Sequence, residues 1–190
     1  MASNGRSRRL PPVAERVFKT TSFETADRGN SSVLRRDQVR MPGDRTMVRE
    51  LIEHCGVAAI VAMDGNNIPM VYQYRNTYNS RLWELLTQER QPDLNTVPGF
   101  SDESVRIYLV TGLSEVARLE AHDEKADMTM RWPPIDETAR WVFSGDIIKS
   151  IVIEGILSAH AVTTEFAQSC PLESRWIDKP TAFAARKVAQ

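Results

Sequence analysis

The run from Gly56 to Met63 constrains this chain most, because it is short, apolar and bounded by turn formers. Such a run reads as a buried strand. Asp64-Gly65-Asn66-Asn67 follows as a hairpin turn signal, so Ile68 to Tyr74 is predicted to return as the next strand. Upstream, Val33 to Val39 reads as a strand ending at the Pro42-Gly43-Asp44 turn. Met47 to His54 mixes charged and apolar residues and puts Arg49, Leu51 and Glu53 on one strand face. Arg81 to Leu85 is another short extended piece. Val105, Ile107 and Leu109 alternate with Arg106, Tyr108 and Val110, as in a strand within a sheet. Met128 to Trp132 is expected to pair with it, and Pro133-Pro134 to stop it.

Helical spacing enters only late. Asp136 is expected to cap a helix running to about Phe143, with Gly145 ending it. Ile148, Ile151, Val152, Gly155, Ile156 and Ala159 recur at helical spacing, which predicts a second helix from about Ile148 to Phe166. The tail from Ser169 is punctuated by prolines and is expected to be irregular. These elements imply a mixed sheet with helices packed late in the chain.

A length of 190 residues suits one domain. Residues 1–17, with Arg6, Arg8, Arg9 and Pro11-Pro12, are expected to be a disordered basic arm or sequence upstream of the true start. Residues 18–190 would then be a single domain: an N-terminal strand subregion at 18–54, a core at 55–168 and the tail at 169–190. The formal net charge of −1 offers no basic footprint for nucleic acid. The longest apolar run, Val57 to Met63, is far short of a membrane span. Cys55 and Cys170 form no C-x-x-C, so a reducing cytoplasm is the default location. His54, His122 and His160 lie too far apart in sequence to suggest zinc. Gly99-Phe100-Ser101-Asp102-Glu103 departs from G-x-S-x-G at its last position, and neither a P-loop nor a G-x-G-x-x-G occurs.

Several runs carry a more specific signal. They are Leu34-Arg35-Arg36-Asp37-Gln38-Val39-Arg40-Met41-Pro42, Met70-Val71-Tyr72-Gln73-Tyr74-Arg75, Arg81-Leu82-Trp83-Glu84-Leu85 and Pro98-Gly99-Phe100-Ser101-Asp102-Glu103-Ser104. The tail Trp176-Ile177-Asp178-Lys179-Pro180-Thr181-Ala182-Phe183-Ala184 joins them. In this order they resemble the bacterial ADP-ribose pyrophosphatases of the Nudix hydrolase superfamily, of the actinobacterial kind. The resemblance implies an α/β fold: a Nudix-type α/β/α sandwich with a mixed sheet, here lacking the Nudix helix, plus an N-terminal strand extension. It also implies a homodimer, Mg²⁺ as cofactor, and cleavage of ADP-ribose to AMP and ribose 5-phosphate.

One part of the family pattern is missing. The family's Nudix box, G-x5-E-x7-R-E-U-x-E-E-x-G-U with U apolar, falls between the Trp-Glu-Leu strand and the Pro-Gly-Phe-Ser loop, and its glutamates hold Mg²⁺. Here Thr87-Gln88-Glu89-Arg90-Gln91-Pro92-Asp93-Leu94-Asn95 joins the two flanks and contains no R-E-U-x-E-E. Arg49-Glu50-Leu51-Ile52-Glu53-His54-Cys55-Gly56-Val57 mimics the second half of a box, but Arg35 and Met41 occupy the positions of its upstream Gly and Glu. The family's catalytic glutamate in a later acidic loop aligns with Lys125, leaving the adjacent Glu124 as a weak substitute.

By resemblance, Arg49 and Arg75 would contact the diphosphate or adenosine part of a ligand, within one chain or across a dimer. Arginine suits this because its planar fork donates to phosphate oxygens. Glu84, Ser101 and Glu103 would lie near the ribose or the metal site. The family often stacks adenine on an aromatic of the N-terminal sheet, where Gly29-Asn30-Ser31-Ser32 offers none. The leading expectation is therefore a catalytically impaired homologue with no metal ligands assigned. The alternatives are a Mg²⁺-dependent hydrolase using Glu84, Glu89, Asp93 and Glu124, or a non-catalytic nucleotide-binding or dimerisation module.

Overall fold

The computed structural model describes residues 18–85, 90–114, 128–176 and 179–188. The first three strands, β1 (Thr20–Arg28), β2 (Ser32–Arg40) and β3 (Thr46–His54), form an antiparallel sheet of their own. This is the expected N-terminal strand extension. β1 had no counterpart in the sequence reading, and every position along it is exposed.

A second sheet has the order β4-β8-β7, from β4 (Val57–Ala62), β7 (Arg90–Asn95) and β8 (Ser104–Val110). β4 runs parallel to β8 and β7 antiparallel to it, so the sheet is mixed, as expected. β7 falls within the short connection between Leu85 and Pro98. Its pairing is irregular between Arg90 and Asp93, around Pro92, which has no N–H to give a ladder.

The third sheet corrects two expectations. Asp64 and Asn67 do form the predicted tight turn, bonded N–H to carbonyl in both directions at 3.0 Å. The strand that follows, β5 (Met70–Arg75), does not fold back onto β4. It pairs with β6 (Ser80–Leu85) and β9 (Thr129–Arg131). β9 therefore joins β5 rather than Val105–Val110. The Ile68 N–H to Pro133 carbonyl bond at 3.0 Å helps draw the chain that way.

Helix α1 (Ile135–Ser144) begins behind Pro134. Asp136 is not its cap, as expected from sequence, but sits in the first turn, where its charge favours the helix dipole. It also faces His160 Nε2 at 3.1 Å. Gly145 ends the helix in the left-handed conformation, φ 84°, which an L side chain resists. Helix α2 (Ser150–Thr163) is the predicted second helix, shorter at both ends. Its buried residues Val152, Gly155, Ile156 and Ala159 form one stripe. They join Val61, Ile68, Met70, Val105 and Ile107 in the core. Gly155 is the point of closest approach, since a Cβ there would lie 2.5 Å from Leu85 Cδ1. The tail is less irregular than expected, because α3 (Ala182–Val188) forms and buries Phe183. α2 leans on both β4-β8-β7 and β6, which fixes the two core sheets to one helix.

Candidate functional site

The strand register gathers the charges of the N-terminal sheet. Phe23 pairs with Asp37, and Asp37 with Arg49, so these three share a face. Alternation adds Arg35 and Glu53 to it. Arg35 bonds Asp37 Oδ2 at 2.7 Å and also reaches Glu53, which is fully buried. Burial opposes the Arg35 charge, but the two carboxylates outweigh that and raise its pKa above the ordinary arginine value. The guanidinium also lies 5.1 Å over the Phe23 ring. The N-terminal sheet thus does carry an aromatic on this face, nine positions before Ser32, where the sequence reading looked.

The loop between β7 and β8 is stitched to β3. The Ile52 N–H donates to the Phe100 carbonyl at 2.8 Å, and the Asp102 N–H to the Ile52 carbonyl at 3.1 Å. Asp102 Oδ1 accepts the His54 N–H at 2.8 Å. Inside the loop, Ser101 Oγ accepts the Glu103 N–H at 3.0 Å, and Thr96 donates to Glu103 Oε2 at 2.7 Å. Glu103 Oε1 also lies 3.4 Å from His54 Nδ1. A cleft of about 630 Å³ opens between this loop and the sheet face. Arg35 and Arg49 line it from the sheet, Asn95 from β7, and Phe100 and Ser101 from the loop, together with the carboxylates Asp37, Glu50 and Asp102, which are held by Arg35, Arg36 and the His54 N–H. Lys179 completes it from the C-terminal segment.

The five residues singled out from sequence therefore split into two groups. Arg49, Ser101 and Glu103 meet at this cleft and its supporting loop. Arg75 and Glu84 sit on the β5–β6 hairpin and hold each other, with Nε and Nη2 each 2.5 Å from a Glu84 oxygen. Lys149, just before α2, adds a contact of 2.8 Å to Glu84 and Gln73 one of 3.1 Å. Sequence reasoning missed Lys149, because nothing local ties residue 149 to residue 84. Glu124 and Glu89 lie outside the described residues, and so does Lys125.

Burial of Glu84 pushes its pKa up, but the bonds from Arg75 and Lys149 outweigh this and hold it below the ordinary 4.5. A depressed carboxylate pKa contributes stability that is fully present above the unfolded value and lost as pH falls through the folded one. Acid unfolding below about pH 4.5 is thus expected to be shallower in Glu84→Gln than in the unmodified chain. Denaturation midpoints from pH 7 to pH 3 check this, and parallel curves would remove Glu84 as a contributor.

Among the described residues the donor set does not fit a Mg²⁺ cage, which needs several free oxygens in octahedral geometry. Glu84 is held by two cations. Asp93 is taken up by Arg106, with bonds of 2.6 and 2.8 Å. Asp37 and Glu53 share Arg35. Among the described residues no group of three or more His, Cys, Asp or Glu is placed to hold a metal ion, and no helix is long and apolar enough to cross a membrane.

No family model matches the chain. It is similar to the ADP-ribose pyrophosphatase of Mycobacterium tuberculosis, at 55% identity over 205 residues, covering 93% of this chain and 99% of that protein. A methanol dehydrogenase activator of Bacillus methanolicus is 26% identical over 152 residues, covering 65% of this chain and 82% of that one. In three dimensions the fold matches a solved ADP compounds hydrolase with a TM-score of 0.64 at 10% identity, over 82% of this chain and 99% of that chain. The extent and level of identity to the mycobacterial enzyme, on a fold shared with the ADP compounds hydrolase, mean that this chain belongs to the Nudix hydrolases as a homologue of the ADP-ribose pyrophosphatases.

Proposed function

We propose that this homologue retains a binding cleft for ADP-ribose or a related nucleoside diphosphate but has lost efficient hydrolysis. The carrying observation is the contrast between its cations and its carboxylates. Arg49 is exposed on the cleft wall, beside Ser101 and the half-exposed ring of Phe100. That set suits a diphosphate bearing a flat base. Among the described residues, the carboxylates Glu84, Asp93 and Asp37, which could otherwise help to hold Mg²⁺, the family's cofactor, are spent on Arg75, Lys149, Arg106 and Arg35.

The alignment with the mycobacterial enzyme supports the same reading. It extends over 205 residues, whereas 93% of 190 is about 177, so some 28 aligned positions have no residue in this chain. A gap of that size accords with loss of the box between Leu85 and Pro98. Without the cage, attack of water on a doubly charged diphosphate lacks both charge neutralisation and an activated nucleophile. The reading of an active hydrolase with substitute carboxylates is weaker, because Glu84 and Asp93 are already paired.

The protein is expected to act in the cytoplasm as a homodimer, with the β1–β3 sheet at the interface. Phe23 and Met47 share one face of that sheet and are 53% and 43% exposed. Apolar side chains exposed this far on one small sheet suit a partner surface. Sedimentation at a mass of 21.5 kDa, rather than twice that, would refute the dimer.

Two measurements on purified protein test the function. Titration calorimetry is expected to show ADP-ribose binding, and a turnover assay with ADP-ribose and Mg²⁺ to show AMP release close to background. Robust release that a chelator abolishes overturns the loss of hydrolysis, and absence of binding heat overturns the cleft.

A further inference from the structure

The C-terminal segment reaches the cleft through a chain of specific contacts. Arg106 on β8 is almost fully buried, at 7% exposure, and stacks 4.8 Å from the centre of the Trp176 ring. Trp176 Nε1 donates to Ser104 Oγ at 2.9 Å, and Arg106 Nη1 donates to the Ser174 carbonyl at 3.2 Å. Beyond Trp176, Phe183 of α3 is buried, and α3 lies against β3. The stretch between these two anchors carries Lys179, which is exposed and lines the cleft together with Arg49. Its ammonium is 5.8 Å from the Trp176 ring, a weak cation–π contact that leaves its hydrogens free to donate to a ligand.

Resting on the binding role proposed above, we propose that Lys179 is a phosphate-contacting residue of the cleft, and that Trp176 is the positioning residue that delivers it. Two cations from separate segments then face one anionic ligand, Arg49 as a fork and Lys179 as a mobile point charge. The ligand class is a nucleoside diphosphate or its sugar ester, with the charge between Arg49 and Lys179 and the base against Phe100. Arg35 does not compete for it, because Asp37 and Glu53 already neutralise it.

The test compares unmodified protein with Lys179→Gln, Lys179→Arg and Trp176→Leu, using ADP-ribose and adenosine as calorimetric probes. A charge-assisted bond at a half-open site supports an expected loss of about 5- to 30-fold in ADP-ribose affinity for Lys179→Gln. Lys179→Arg is expected to recover most of that loss, and adenosine affinity to stay unchanged in both. The deficit of Lys179→Gln should shrink as salt is raised from about 0.05 to 0.5 M, as screening of a charge–charge contact requires. Trp176→Leu should weaken ADP-ribose more than adenosine, whereas a merely structural role would weaken both alike. Lys179 is exposed, so its variants keep the fold, and a melting curve superimposing on the unmodified protein confirms it. ADP-ribose affinity unaffected by Lys179→Gln, with the unmodified protein binding normally, overturns the Lys179 role alone. Failure of the unmodified protein to bind ADP-ribose overturns both this and the cleft's binding role.

Discussion

Grafting the family's box segment into the connection between Leu85 and Pro98 is expected to raise ADP-ribose hydrolysis from near background by at least about 10²- to 10⁴-fold. One positioned acid–base group contributes about that range, and a metal cage adds charge neutralisation to it. The physical reason lies in where the existing carboxylates are spent. Glu84 sits at 5% exposure between Arg75 and Lys149, and freeing it for a metal would strand two cations. A box helix brings its own glutamates on one face, at spacings of three and four residues, and asks nothing of Glu84. Adding Lys125→Glu to the graft should bring a further rise of about 10²-fold or more, because the resemblance implies the family's catalytic glutamate at that position. Steady-state AMP release with and without chelator is the readout. A grafted protein that binds ADP-ribose and folds, yet hydrolyses no faster than the parent, would show that the box is not what the parent lacks.

What the sequence revealed followed the range of each signal. The stripe on α2 repeats within one helix, and Val152, Ile156 and Ala159 were identified as its buried face from spacing alone. The Asp64–Asn67 turn was also legible, since its bonds close over four residues. Its consequence was not. A turn reverses the chain but does not choose the partner of the next strand, and β5 found β6 and β9 instead of β4. β1 escaped because none of its residues is buried within this chain, so it lacks the one-sided alternation that marks a strand. β7 escaped because Pro92 and charged residues resemble a connector. Its stability comes from β8 and from Arg106, 13 residues away.

The candidate site shows the same limit. Arg49, Ser101 and Glu103 were brought in by resemblance, and the register of β3 with the 97–103 loop puts them together. Arg75 and Glu84 were read separately as ligand contacts, yet they are each other's partners across a hairpin. Opposite charges nine residues apart are visible in any sequence. Only the β5–β6 register, with Val71 against Glu84 and Arg75 against Ser80, puts them on one face, where their long side chains close the offset of four positions. Lys179 stood in a matched tail segment but acquired a role only when Trp176 and Phe183 fixed that tail beside the cleft.

The tail and β7 meet at one side chain, so Arg106→Ala is expected to be the most damaging single substitution outside the apolar core. Its guanidinium pairs with both oxygens of Asp93 on β7, bonds the Ser174 carbonyl and stacks on Trp176. The bonds to Asp93 are the main reason its pKa stands above the ordinary arginine value, with burial opposing. Removing one partner of a buried pair costs up to about 3–5 kcal/mol when the other is left dry. Asp93 retains 23% side-chain exposure and can rehydrate, so about 2–4 kcal/mol is the expected loss. At roughly 2–4 °C per kcal/mol for a chain of this size, Tm should fall by about 5–15 °C. Arg106→Lys should recover little of it, because an ammonium cannot make the two-point bond to Asp93 or stack flat on an indole. The double variant Arg106→Ala with Asp93→Ala should be no worse than Arg106→Ala alone, since the stranded carboxylate is then gone. Calorimetric melts of the unmodified protein, these variants and Asp93→Ala alone decide it: additive losses in the double variant would mean that Arg106 and Asp93 act independently.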